Sequence, residues 1–179
     1  MKDMFRGTLV KVLLLLIVLL PLGAFLHYNL PGYDVVRITS TDIRRVDRDG
    51  EAANNELPGA TRDVYVIFAE DPESGAARVY YNEDTGWGFP WYFKFDSANV
   101  HQRAGAIARE ADNRALVTHY GWRVPMLSWF PNAVSVERVE PGYTPIPWFN
   151  IVFFVLLAAV IGWIWWSVAR WRRRRTASL

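Results

Sequence analysis

Twenty-four consecutive residues, Ile146 to Ala169, carry no charge, and a second apolar run, Leu9 to Leu26, lies near the other end of the chain. At about 1.5 Å per residue the first of these reaches roughly 36 Å, enough to cross a hydrocarbon core with some tilt. Trp148 stands at one end of it, and Trp163, Trp165, Trp166 and Trp171 stand at the other. Indole rings settle at membrane interfaces because the ring is apolar while its N–H wants water. The uncharged part of the N-terminal run, Val12 to Leu26, is interrupted by Pro21 and Gly23 and preceded by Lys2, Arg6 and Lys11. A cleaved signal peptide has the same outline, but cleavage after Ala24 would place the bulky Leu22 where a small residue is preferred. The expectation is an uncleaved signal-anchor. The chain then divides into an N-terminus at 1–8, a first span at 9–28, an outer domain at 29–145, a second span at 146–169 and a basic tail at 170–179.

The basic residues orient these spans. Met1 to Lys11 holds three Lys or Arg against one acid, and the tail holds Arg170, Arg172, Arg173, Arg174 and Arg175. Of the 20 basic and 18 acidic residues in the chain, 12 and 17 remain between those flanks, so the outer domain is acidic. Moving an Arg through the bilayer centre costs about 2.5–3.5 kcal/mol on insertion scales, so positive flanks stay cytoplasmic. The expected protein is a two-pass membrane protein with both termini cytoplasmic and the domain outside, which in the inner membrane of a bacterium is the periplasm. The sequence pI near 9.0 comes from the anchors, so the charge does not indicate nucleic-acid binding. The chain has no cysteine, which excludes disulfides, thiol chemistry and thiolate metal sites.

The outer domain reads as α+β. Asp34–Val46 is rich in β-branched residues and reads as one long strand or two short ones, Arg62–Phe68 and Ala77–Asn82 form a hairpin around the turn at Asp71–Gly75, and Asp47–Gly59 is a polar loop. A helix follows, with Asp96 or Ser97 as its cap and Val100, Ala104, Ile107, Ala108 and Ala111 at helical spacing. Ala115–Trp122 and Ala133–Val139 are the last strands. In the latter, Val134 and Val136 share the face expected in the core, and Trp122 is also expected to be buried. The order β-β-β-α-β-β suits an OB-like barrel with its helix between the third and fourth strands. A flat α+β sandwich gives the same string.

Two blocks stand out as candidate sites. Between Asn82 and Asp96 lie Trp87, flanked by glycines, and Phe89, Trp91, Tyr92, Phe93 and Phe95, with Asp84, Lys94 and Asp96 close by. Such a loop lines a groove for a ligand, glycan or partner, plugs the barrel, or rests on the bilayer. The second block is Thr118–Arg123, where strand alternation puts His119, Gly121 and Arg123 on one face and Tyr120 and Trp122 on the other. His119 suits a general base or a pH-sensitive switch, and equally a structural, hydrogen-bonded histidine. The pairing of His119 with His101 and a carboxylate matches no zinc spacing, and the acids around Gly50 miss the calcium-loop register. No metal, cofactor or catalytic motif is expected.

The segments HYNLPGYDVVRI, TRDVYVI, YNEDTGWGFPWYFKFDSAN, THYGWRVPMLSWFPNAVSV and PWFNIVF resemble a bacterial family of about this length, the domain of unknown function numbered 1523. The resemblance implies a membrane protein and transfers no catalytic residue.

The leading functional expectation is an interaction protein whose periplasmic domain binds or scaffolds another membrane or periplasmic protein. Two tethers hold the domain at the lipid bilayer and raise its effective concentration for a membrane-bound partner. A small-ligand or envelope-polymer binding module is the alternative, and an enzyme using His119 with Asp84 or Asp96 is the third. The charge asymmetry makes a direct prediction. A reporter fused after Asn55 is expected to be active in the periplasm and one fused after Leu179 in the cytoplasm; a periplasmic C-terminus would overturn the two-pass topology.

Overall fold

The computed structural model of the protein describes residues 2–46 and 62–176. It divides into two compact units, Met1–Pro145 and Ile146–Leu179. The first holds helix α1 (Lys2–Asn29), strands β1 (Gly32–Val46), β2 (Arg62–Glu70) and β3 (Ala77–Asn82), helix α2 (Ser97–Ile107), strand β4 (Arg114–Tyr120), a short 3-10 turn (Pro125–Leu127) and strand β5 (Asn132–Arg138). The second is helix α3 (Trp148–Thr176). The polar loop expected at Asp47–Gly59 lies outside the described residues.

The five strands close into a barrel in the order β1-β2-β3-β5-β4. Of the two arrangements compatible with the element order, the chain adopts the barrel. Closure depends on the length of β1. Its first half, Gly32–Arg37, pairs with β4, and its second half, Arg37–Val46, pairs with β2, with a register shift between Ile38 and Ser40. A bulge of this kind bends a strand and increases its twist, so one strand can serve two neighbours. The single parallel contact, Tyr81 with Asn132, completes the ring.

Alternation along each strand points one set of side chains inward: Val36 and Ile38 from β1, Ile67 and Ala69 from β2, Tyr80 from β3, Ala115 and Val117 from β4. From α2, Val100, Ala104 and Ile107 join the same core, which is the helical spacing expected of them. The helix stops at Ile107, so Ala111 lies beyond it and is exposed.

Two core assignments need correction. In β5 the buried residues are Asn132, Ala133 and Val136, and Val134 is only half-buried. The pairing with β4 slips between Thr118–Ser135 and His119–Ala133, so Val134 is the extra residue of a bulge. A single inserted residue inverts the faces on one side of it, which simple alternation cannot anticipate. Trp122 is also half-buried, because β4 ends at Tyr120 and Gly121, at φ +89°, turns the chain away. Gly121 is therefore a break in the strand, and the face assignment for Trp122 and Arg123 does not hold.

Helices α1 and α3 contain candidate spans at Val10–Asn29 and Trp148–Arg174, long and apolar enough to cross a membrane, with none of either span's most apolar window buried within the protein. Apolar residues occur on every side of each, which is the pattern of a helix surrounded by lipid or by a large core.

The core predicts a clear asymmetry. Val136 is fully buried, so Val136→Asp strands an unpaired charge at a cost of several kcal/mol, a large share of a typical 5–15 kcal/mol stability. The barrel is expected to lose its cooperative melt, while Val134→Asp at the bulge costs less and Glu137→Lys on the exposed side is nearly silent. Thermal melts of the three detergent-solubilised full-length variants check the order.

Candidate functional site

The strand registers put the start of β1, the end of β3, the end of β4 and the start of β5 at one end of the barrel: Gly32 faces His119, Tyr120 faces Asn132, and Asn132 faces Tyr81. Three features therefore gather there. They are the end of α1, the loop at 83–96 that follows β3, and the loop at 121–131 between β4 and β5. The turn between β2 and β3 lies at the opposite end.

The 83–96 loop reverses the usual assignment of inside and outside. Lys94 is 4% exposed, while Trp87 is 80% exposed, and Phe89, Trp91, Phe93 and Phe95 are each more than half exposed. The Lys94 ammonium enters the barrel end and donates to the Asn82 side-chain oxygen and, at 2.7 Å, to the Ala133 carbonyl. Asn82 donates in turn to the Ser97 carbonyl (2.8 Å). On the other side, Asn132 accepts from the Glu83 amide (2.8 Å) and donates to the Glu83 carbonyl and the Tyr120 hydroxyl. Within the loop, the Gly86 amide donates to the Lys94 carbonyl and the Lys94 amide to the Thr85 hydroxyl. The aromatics are thus not a core plug; the lysine and two asparagines are.

Burial pushes the Lys94 amine down to about 8, although the carboxylates of Asp84, Asp96 and Glu83 pull it up. Asp84 also supplies the cap of α2. Its carboxylate accepts from the Ser97 amide (2.8 Å) and hydroxyl (3.1 Å), whereas Asp96, one of the two residues expected as the cap, makes no side-chain capping bond and is exposed. The capping carboxylate comes from thirteen residues upstream, outside the local window in which capping is normally sought.

The exposed aromatics form two groups. Trp87 packs edge-on against Phe93 and Phe95, at 5.7 and 5.4 Å between centroids. Phe89 packs against Trp91 and stacks on Phe25 of α1 at 5.8 Å. Tyr92 turns the other way. Its hydroxyl donates to the Asn29 carbonyl (2.7 Å) and its ring stacks on Tyr120. The 121–131 loop also meets α1. Trp122 donates from its indole nitrogen to His27 Nδ1 (2.7 Å) and packs edge-on against Tyr28, and the Gly121 amide donates to the Tyr28 carbonyl. Arg123 sits over the Phe130 ring at 4.0 Å and donates to the Trp129 carbonyl.

His119 faces into the barrel with a different partner from the acids expected. Its Nε2 lies 3.1 Å from the Asp34 carboxylate, which also accepts from the Tyr80 hydroxyl at 2.6 Å. Neither Asp84 nor Asp96 takes part. Burial raises the Asp34 carboxyl, but hydrogen bonds from His119 and Tyr80, with attraction to His119 and Arg78, outweigh it and leave it below the usual range. Burial, reinforced by the Asp34 charge, raises the Tyr80 phenol strongly. Gly32 is required beside this cluster, since a Cβ there would lie 2.7 Å from the His119 ring. His101 instead packs on Tyr65 at 4.6 Å. Among the described residues no group of three or more His, Asp or Glu could hold a metal ion.

Of the residues singled out in the sequence, Asp84, Trp87, Lys94 and Asp96 share one loop, Trp122 and Arg123 begin the neighbouring loop, and His119 lies inside the barrel. Asp34, Tyr80, Asn132 and Phe25 complete these clusters without having been anticipated. Asp34 carries a signal in retrospect: it lies two and four residues before Val36 and Ile38, in phase with them on the inward face of β1.

Lys94 makes the stability pH-dependent. Its folded value lies below that of the unfolded chain, so between about pH 8 and 10 the unfolded state holds more protons and stability rises with pH. The expected gain across that window is about 2 kcal/mol, ending where the buried tyrosines, which ionise later in the folded state, reverse the slope. Denaturant titrations at pH 8 and 10 check it, and Lys94→Met is expected to remove the rise.

The family model described as "Protein of unknown function (DUF1523)" matches residues 8–172. An uncharacterized protein of Haemophilus influenzae (strain Rd) is 39% identical over 148 residues, covering 76% of this chain and 83% of the relative. No solved structure matches.

Proposed function

The chain belongs to the DUF1523 family, and from that premise we propose that it is a membrane-tethered interaction module. Its OB-like barrel would stand in the periplasm of a bacterial inner membrane, with both termini in the cytoplasm, and bind or scaffold another envelope protein. The basic flanks and the two apolar helices support that placement.

The observation that carries the binding reading is the inversion within one loop. A fold that buries a lysine while leaving Trp87, Phe93 and Phe95 in an exposed mutual cluster goes against the ordinary preference of these side chains. Rigid, well-supported aromatics are the residues that dominate protein interfaces. Here the support is the Lys94–Asn82–Ala133 network beneath them. The partner would be a membrane-associated protein, because the domain cannot leave the bilayer surface.

The test separates binding from folding. Trp87 lends little to the core, so Trp87→Ala is expected to shift stability by no more than about 0.5 kcal/mol. In crosslinking of intact cells it is expected to weaken capture of the partner about thirtyfold, the loss of an aromatic hot spot of about 2 kcal/mol. A variant that melts like the parent and still captures its partner fully would refute the assignment to Trp87.

A further inference from the structure

The exposed end of the barrel carries more than one aromatic cluster, and the second is tied to the candidate membrane span. The span in α1 runs from Val10 to Asn29. Phe25 lies inside it, one helical turn, or about 6 Å, before its end. Phe89, on the loop after β3, stacks on Phe25 at 5.8 Å, and Trp91 packs on Phe89 at 5.4 Å. A bilayer that covers α1 as far as Asn29 therefore reaches the Phe89 ring as well. On the adjoining loop, Met126 is 95% exposed and Leu127 and Trp129 are each more than half exposed, and that loop begins at Trp122, bonded to His27 in the last turn of α1.

Charge points the same way. The outer domain is acidic, yet the stretches 85–95 and 121–136 contain no Asp or Glu, and the exposed Arg123 lies in the second. A surface that approaches anionic headgroups must lack acids, and Trp, Phe and Met suit the boundary between headgroups and acyl chains.

We infer that this end of the barrel is seated in the lipid interface, with Phe89, Trp91, Met126, Leu127 and Trp129 in contact with the bilayer. The occupant is lipid because the surface continues the side of the span itself. The inference rests on α1 as a span and is independent of partner capture at Trp87. Seating would hold the barrel at one height and tilt above the membrane. Phe89 and Trp91 on one loop, and Met126 and Trp129 on the other, would act as two feet beside the α1 anchor.

The absence of cysteine permits a direct test on the full chain. Ile17→Cys, Trp91→Cys, Met126→Cys and Glu73→Cys would each carry a nitroxide, in protein reconstituted into phosphatidylethanolamine–phosphatidylglycerol vesicles. Ile17 reports the span, and Glu73 reports the β2–β3 turn at the far end of the barrel. Collision with oxygen relative to a water-soluble nickel chelate is expected to be severalfold higher at positions 91 and 126 than at 73, approaching the value at 17. Lipid exposure at 17 with 91 and 126 as water-accessible as 73 would overturn the seating and leave the span intact. Water access at 17 would overturn both. Protection of 91 and 126 from both reagents would assign the surface to a second copy of the chain, and so overturn the proposal.

Discussion

Lys94 is the side chain on which the arrangement of the barrel end depends. A lysine amine loses hydration on entering a protein interior, and only strong acceptors compensate for that. Asn82 and the Ala133 carbonyl provide them, and both belong to strands that terminate at this end. With the amine fixed there, Trp87, Phe89, Trp91, Phe93 and Phe95 of the same loop lie on its exposed side. Thr85 and Gly86 clamp the backbone beside Lys94, Asp84 ties the loop to the first turn of α2, and the aromatics are left outside.

The same end of the barrel is joined firmly to α1. Hydrogen bonds from Tyr92 to the Asn29 carbonyl, from Gly121 to the Tyr28 carbonyl and from Trp122 to His27 tie two loops of the domain to the last turn of the helix. These carbonyls lie where a helix leaves its final acceptors unpaired, so the domain itself satisfies the helix terminus. The consequence is mechanical. A barrel tethered by a loose linker would sample many orientations, whereas one that caps the end of α1 is held in one orientation to that helix.

The inward cluster of Asp34, Tyr80 and His119 has a more modest role. Asp34 accepts from two neighbours and is held ionised by them, which satisfies a carboxylate that would otherwise be costly inside a barrel. It links β1, β3 and β4 across the interior near the same end. The close approach of Gly32 to the His119 ring shows how tightly that corner is packed.

Sequence periodicity alone determined the two apolar helices, the five strands, the central helix and their order, because those depend on local alternation and on long runs without charge. It also determined the aromatic loop as the segment to watch. What it could not determine were the outcomes set by pairing between distant segments. The bulge at Val134 exists only against β4, the cap of α2 comes from Asp84, and His119 finds Asp34 across a strand pair rather than Asp84 or Asp96. The orientation of the loop was decided in the same way. Whether Lys94 or its aromatic neighbours enter the core depends on where Asn82 and Ala133 present their oxygens, and those positions exist only once the barrel has closed.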